Sequence, residues 1–251
     1  MNMNKNIERE KQWLLRDKYH NKKTAGFFKD IEKLKKGEPI DYLIGWEPFL
    51  NCKIDLRFKP LIPRLETEYW TEEAIKTIKT LKKPIAILDL CSGSGCIGVA
   101  VLKNIKNSHV VFGEMDKTLT QQIRINLKLN KISRERYQIV QSNLLGDIKG
   151  KFDFILTNPP YASLNRKNKV QQSVLQHEPH LALFGGQDGL FFVKKILKQV
   201  PKYLNENGQI WMEFDSWQKP AINQLLKKLQ YKNWEFFKDQ FGRWRWVVAQ
   251  H

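Results

Sequence analysis

The segment that most constrains this chain is Ile85-Ala-Ile-Leu-Asp-Leu90 together with the turn after it. It is a nearly unbroken apolar run of strand length. Such a run fits a strand buried on both faces, as in a parallel sheet covered by helices on each side. Cys91-Ser-Gly-Ser-Gly-Cys96 then makes a turn of small residues, and a helix is expected from there. Strand, glycine turn and helix open an α/β fold that binds ligands at the carboxyl edge of its sheet.

The rest of the chain continues the pattern. Apolar runs predict further strands at His109–Gly113, Tyr137–Gln141, Phe152–Thr157, Gln209–Phe214, Lys232–Lys238 and Trp244–Ala249. Helical spacing appears over Lys117–Asn130, over Asp188–Leu204 and around Ile222, Leu225, Leu226 and Leu229. Thr67 to Leu81 reads as a helix, with Thr67 as its cap and Trp70, Ala74, Ile78 and Leu81 on one face. The expected architecture is α/β, a doubly wound parallel sheet of seven strands over residues 67–251. Before it lie a short polar helical region, 1–36, and a connector with a β-hairpin, 37–66. In the first of these Phe27, Ile31 and Leu34 share a helical face.

Composition narrows the function classes. The longest stretch free of Asp, Glu, Lys and Arg is Leu90–Leu102, 13 residues. A spanning helix needs about 20, so no membrane segment is expected. Three cysteines are too few, and odd in number, for a disulfide framework, which points to a reducing compartment. The first ten residues are polar and carry Glu8 and Glu10, so no secretory signal is expected. The net charge is +17, and its excess sits in residues 81–251, with 26 basic and 13 acidic residues. Charge of this kind is compatible with solvated helix faces, nucleic acid or an acidic protein, and does not choose among them.

Motifs are more informative. Gly93 and Gly95 let a ligand lie against the backbone, and the following helix offers free N–H groups. The turn lacks the Gly-Lys-Ser/Thr end of a nucleoside-triphosphate loop. Glu114 ends the second strand, where such folds place a carboxylate for ribose hydroxyls; Asp116 competes for that role. NAD and S-adenosylmethionine both satisfy this much. Asn158-Pro159-Pro160-Tyr161 directly follows another strand and faces the same crevice. Its prolines stiffen the loop and leave carbonyls as acceptors. The Asn158 side-chain oxygen and the Pro159 carbonyl can accept both hydrogens of a planar NH₂, and the Tyr161 ring can pack on its plane. Positioning and electrostatics then suffice for methyl transfer to that nitrogen.

Asp89–Ile97 with Asn158–Tyr161 resembles class I S-adenosylmethionine-dependent methyltransferases acting on planar NH₂ groups. Gly37–Gly45, Leu61-Ile-Pro-Arg-Leu-Glu-Thr-Glu68 and Glu178-Pro-His-Leu-Ala-Leu-Phe-Gly-Gly-Gln-Asp-Gly-Leu190 resemble segments of the release-factor glutamine methyltransferases. The resemblance implies a Rossmann-like fold and S-adenosylmethionine as cofactor; no His cluster accompanies Cys91 and Cys96, so no metal is expected. It implies a substrate, the Gly-Gly-Gln glutamine of class 1 peptide chain release factors, methylated in support of translation termination. A nucleic-acid amino methyltransferase (adenine N6 or guanine N2) is the alternative.

The resemblance also assigns roles. Asn158, Pro159 and Tyr161 are catalytic, and these with Pro160, Arg64 and Glu66 form the substrate site. Asp89, Cys91, Gly93, Gly95, Glu114, Asn143 and Asn158 hold the cofactor. Leu65 stands where the family has proline, Cys91 where it has glycine, and Asn143 where an acid is common. About 35 residues precede Gly37, fewer than is usual in the family. Gly185-Gly186-Gln187 repeats the substrate tripeptide and is read as a coincidence at a turn. The chain is expected to be a monomer, without stable nucleic acid. Lys238–Trp246 resembles fungal mitochondrial members, so a mitochondrial location is expected, with the cytoplasm as alternative.

Overall fold

A computed structural model describes residues 3–251; Met1 and Asn2 of the expected N-terminal helical region lie outside the described residues. That region forms two helices, α1 (Met3–Asp17) and α2 (Ala25–Lys35). Phe27, Ile31 and Leu34 are buried together against Leu14 and Leu43. The connector holds a short helix, α3 (Ile40–Ile44), closed by Gly45 in the left-handed region at φ 92°. Its hairpin is β1 (Trp46–Phe49) and β2 (Cys52–Asp55).

Seven strands make the main sheet: β3 (Ile85–Leu90), β4 (Ser108–Glu114), β5 (Tyr137–Gln141), β6 (Phe152–Thr157), β7 (Leu204–Glu213), β8 (Asn233–Lys238) and β9 (Trp244–Gln250). Their order is β5-β4-β3-β6-β7-β9-β8. On one face pack α4 (Leu65–Lys79), α5 (Cys96–Asn104) and α6 (Lys117–Leu129), around Trp70, Ile78, Val99, Phe112 and Leu127. On the other lie α9 (Phe191–Gln199) and α10 (Lys219–Lys228), around Val193, Leu197, Met212 and Ile222, after the short α7 (Gln172–His177) and α8 (His180–Leu183). Strand β3 sends Ile87 to the first layer and Leu88 to the second. Burial on both faces is why its sequence does not alternate.

Three expectations need correction. The sheet is mixed: β9 runs antiparallel to both neighbours. Only residues 239–243 join β8 to β9, and a parallel connection needs a crossover of a dozen residues or more. Helix α4 starts at Leu65, and its N-cap, Arg64, makes no side-chain cap bond. Thr67 is thus inside the helix and its hydroxyl is free for other work, while Leu81 falls beyond the helix and is exposed. The helix foreseen from Asp188 to Leu204 is shorter. Gly189 takes φ +67° before it. Near Pro201, which lacks an N–H, it tightens into a 3₁₀ turn over Val200–Tyr203, and Leu204 begins β7.

Chain order reverses between β3 and β6, which lie side by side with Leu90 opposite Thr157. The Thr157 hydroxyl donates to the Leu90 carbonyl at 2.7 Å. The glycine turn after β3 and the Asn-Pro-Pro-Tyr segment after β6 therefore leave the sheet as neighbours, at its topological switch point.

Candidate active site

Residues from four strand ends surround a cavity of about 1030 Å³, its open mouth included. Cys91, Ser92 and Gly93 form one wall, and a Cβ at Gly93 would stand in open space. Cys91 holds a left-handed φ of 58°, the conformation that glycine supplies at low cost elsewhere. Burial pushes its thiol pKa up, so it is a small wall residue rather than a nucleophile.

Glu114 lines the cavity and is tied down by backbone. It accepts from Gly93 N at 2.8 Å and from Asp116 N at 2.9 Å. Burial raises its pKa, and these N–H donors pull it back. Asp116 caps α6 by accepting from Thr118 N at 2.7 Å, so the two competing acids have different local tasks. Met115, Leu119 and Leu144 supply apolar wall, and Asn143 an exposed amide beside them.

Asp89 is not on the wall. It is fully buried, and the pleat of β3 turns it toward α5, where Oδ2 accepts from Gly98 N at 2.9 Å. Its Oδ1 has no protein partner. Burial raises its pKa well above the usual carboxylate value. Its position makes it a support of the turn.

Asn158 and Pro160 line the cavity. Asn158 Nδ2 donates to Thr67 Oγ1 at 3.1 Å. Thr67 donates to Glu213 Oε2 at 2.6 Å, and Trp70 Nε1 donates to the same oxygen at 2.7 Å. Tyr161 OH donates to Glu213 Oε1 at 2.8 Å. Glu213 is 1 % exposed. Burial raises its pKa, while its three donors and nearby Arg245 lower it. Tyr161 and Pro159 are therefore not wall residues: Pro159 is buried, and the Tyr161 ring is drawn back toward β7 by its hydroxyl.

The segments over the cavity are fastened by a second buried acid. Glu178 accepts from Ile62 N at 3.1 Å and from Arg64 Nη2 at 2.6 Å. This joins Ile62–Arg64 to Pro179–Ala182, and both stretches line the cavity. Glu66 does not line the cavity; its Oε1 lies 4.0 Å from Arg245 Nη2.

The Gly-Gly-Gln-Asp-Gly segment packs backbone to backbone on the Asn-Pro-Pro-Tyr loop. Ala162 N donates to Leu183 O at 2.8 Å and Gly185 N to Ala162 O at 2.9 Å. A Cβ on Gly185 would come within 2.4 Å of Pro160 O, and one on Gly189 within 2.2 Å of Tyr161 O. Gly185 and Gly189 are the seat of the loop.

Sequence reasoning gave Thr67 and Trp70 only helical roles and Glu178 only a place in a family-like segment, and it passed over Glu213. Glu213 carried a usable signal: an acid inside an apolar strand run must be paired if buried. Among the described residues no group of His, Cys, Asp and Glu could hold a metal ion, and no helix is long and apolar enough to cross a membrane.

Comparisons with known proteins place the chain in a family. A family model described as methyltransferase small domain matches residues 74–187. A release factor glutamine methyltransferase of Borreliella burgdorferi is 37 % identical over 226 residues, covering 88 % of this chain and 76 % of that protein. One from Flavobacterium psychrophilum is 34 % identical over 221 residues, covering 86 % and 76 %. Among solved structures, the hMettl16 catalytic domain in complex with a MAT2A 3′UTR hairpin superposes with a TM-score of 0.62 at 19 % identity, covering 80 % of this chain and 76 % of that one. The last likeness is one of fold alone. Identity and coverage against the first two show that the chain belongs to the release factor glutamine methyltransferase family.

Proposed function

We propose that the protein transfers the methyl group of S-adenosylmethionine to the side-chain amide nitrogen of the glutamine in the Gly-Gly-Gln tripeptide of class 1 release factors. The observation that carries this reading is the Asn158 amide, on the cavity wall with its nitrogen engaged behind it.

The wall suits the cofactor. Glu114 offers carboxylate oxygens to a ribose diol, Met115, Leu119 and Leu144 offer apolar surface to an adenine ring, and Asn143 offers an amide to its edge. Gly93 leaves the room that a side chain would fill. When bound, S-adenosylmethionine supplies a methyl group on a positively charged sulfur.

The chain's own residues handle the substrate amide. With Nδ2 held by Thr67, Asn158 presents Oδ1 as an acceptor. That oxygen takes an amide hydrogen, holds the nitrogen in place and favours positive charge growing on it. The methylated nitrogen is acidic enough to lose its proton without a strong side-chain base. Ile62–Arg64, fastened by Glu178, holds one part of the cavity wall in place.

The test is transfer of label from S-adenosylmethionine to a purified class 1 release factor. Label is expected on the peptide containing Gly-Gly-Gln and is expected to vanish when that glutamine is replaced. No label at any enzyme concentration, or label indifferent to the glutamine, overturns the reading.

A further inference from the structure

We infer that Thr67 and Glu213 are positioning residues that set which way the Asn158 amide faces. The inference rests on the proposed reaction for its kinetic consequence, but the geometry stands independently of the substrate.

An asparagine amide has two nearly isosteric orientations, one presenting oxygen and the other presenting NH₂. Only the first can receive an N–H from a substrate amide. In the other, two donors meet and the substrate is turned away. Something must therefore choose, and in this site the choice comes from Thr67.

The hydroxyl of Thr67 has one proton. It is committed to Glu213 Oε2, 2.6 Å away. That oxygen also receives the Trp70 indole N–H at 2.7 Å, a group that can only donate. With its proton spent, Thr67 Oγ1 can only accept from Asn158, so it faces Nδ2, 3.1 Å away. The oxygen of the amide is left toward the cavity that Asn158 lines. Thr67 is 2 % exposed and Glu213 1 % exposed, so water does not compete for the bond between them.

Glu213 has a second grip on the same loop. Its Oε1 receives Tyr161 OH at 2.8 Å. One buried carboxylate thus governs both ends of Asn158–Tyr161, the first through Thr67 and the last directly. This also accounts for an acid within the apolar stretch Ile210–Phe214, where β7 ends.

The test compares Thr67→Val, which keeps the shape and removes the hydroxyl, with Thr67→Ser, which keeps the hydroxyl. Two readouts are taken. The first is steady-state methylation of a release factor, with S-adenosylmethionine binding by calorimetry. Thr67→Val is expected to lower kcat about 10- to 100-fold, with cofactor affinity within about twofold of wild type, and Thr67→Ser to recover most of the rate. The second is NMR of the Asn158 side-chain NH₂, assigned by its disappearance in Asn158→Asp. It reads the orientation even if the release factor is not the substrate. Slow hydrogen exchange is expected in wild type and Thr67→Ser, and at least tenfold faster exchange in Thr67→Val. A Thr67→Val protein with wild-type kcat, or one whose Asn158 NH₂ stays as protected as in wild type, overturns the inference, as does a Thr67→Ser protein no better than Thr67→Val. An inactive wild type with the NMR contrast intact would count against the release-factor reading and in favour of the positioning role.

Discussion

Replacing Gly185 by alanine tests the claim that backbone packing seats the loop that carries Asn158. A Cβ at Gly185 would lie 2.4 Å from Pro160 O and 2.5 Å from Gly189 O. Both obstacles are main chain, so neither can swing aside as a long side chain would. Ordinary contact begins near 3.4 Å, and one backbone must withdraw by about 1 Å to reach it. Overpacking of this kind costs about 1–3 kcal/mol of stability. Pro160 is two residues from Asn158, and a shift of about 1 Å in a positioned group costs on the order of 100-fold in rate. Gly185→Ala is therefore expected to remain folded, with a lower melting temperature, to bind S-adenosylmethionine, and to methylate the release factor about 100-fold more slowly. Initial rates with labelled cofactor, calorimetry and thermal unfolding measure the three quantities. Gly186→Ala is the control: its added carbon meets the Phe191 side chain at 3.3 Å and no loop carbonyl. Its cost is the left-handed φ of 88°, about 1–2 kcal/mol. A Gly185→Ala enzyme with wild-type kcat, or one no slower than Gly186→Ala, refutes the reasoning.

Other substitutions separate the parts of the site. Asn158→Ala should remove about 3–4 kcal/mol of transition-state stabilisation, the scale of one positioned polar group, read as kcat with cofactor affinity preserved. Glu178→Ala should cost about 1–3 kcal/mol in denaturant unfolding by stranding Ile62 N, and should raise the KM for the release factor by loosening Ile62–Arg64. Asp89 has a pKa raised by burial, so the native state holds its proton more tightly than the unfolded chain does. Its contribution is fully present below the unfolded value near 3.8 and is lost as pH rises through the raised native value. Asp89→Asn, which keeps an acceptor for Gly98 N, should flatten that fall in stability above about pH 4, measured by denaturant titration at several pH values. A slope identical to wild type would show that Asp89 does not titrate in this way.

The local segments were legible because each carries its physics in a short window. The unalternated run Ile85–Leu90 announces a strand buried on both faces, and each of the seven strands overlaps a foreseen segment, although β7 begins at Leu204 and not at Gln209. Segments end less legibly. Thr67 looks like a cap from its neighbours alone, yet α4 begins two residues earlier at Leu65. The direction of β9 depends on the length of a five-residue connection, which apolar pattern does not weigh.

By itself the sequence determined the chemistry at two strand ends: a small-residue turn that bares backbone to a ligand, and a stiff Asn-Pro-Pro-Tyr loop that offers acceptors to an NH₂. Both depend on residue type and on spacing of a few positions. Only the tertiary structure decided which atoms face the cavity. The pleat of β3 put Asp89 behind the turn, and Glu213 drew the Tyr161 hydroxyl away from the wall. Thr67 and Glu213 stand 146 residues apart in the chain and 2.6 Å apart in space. Burial makes that bond matter, because a buried proton must be given to a particular partner, and no local window of sequence contains both members of the pair.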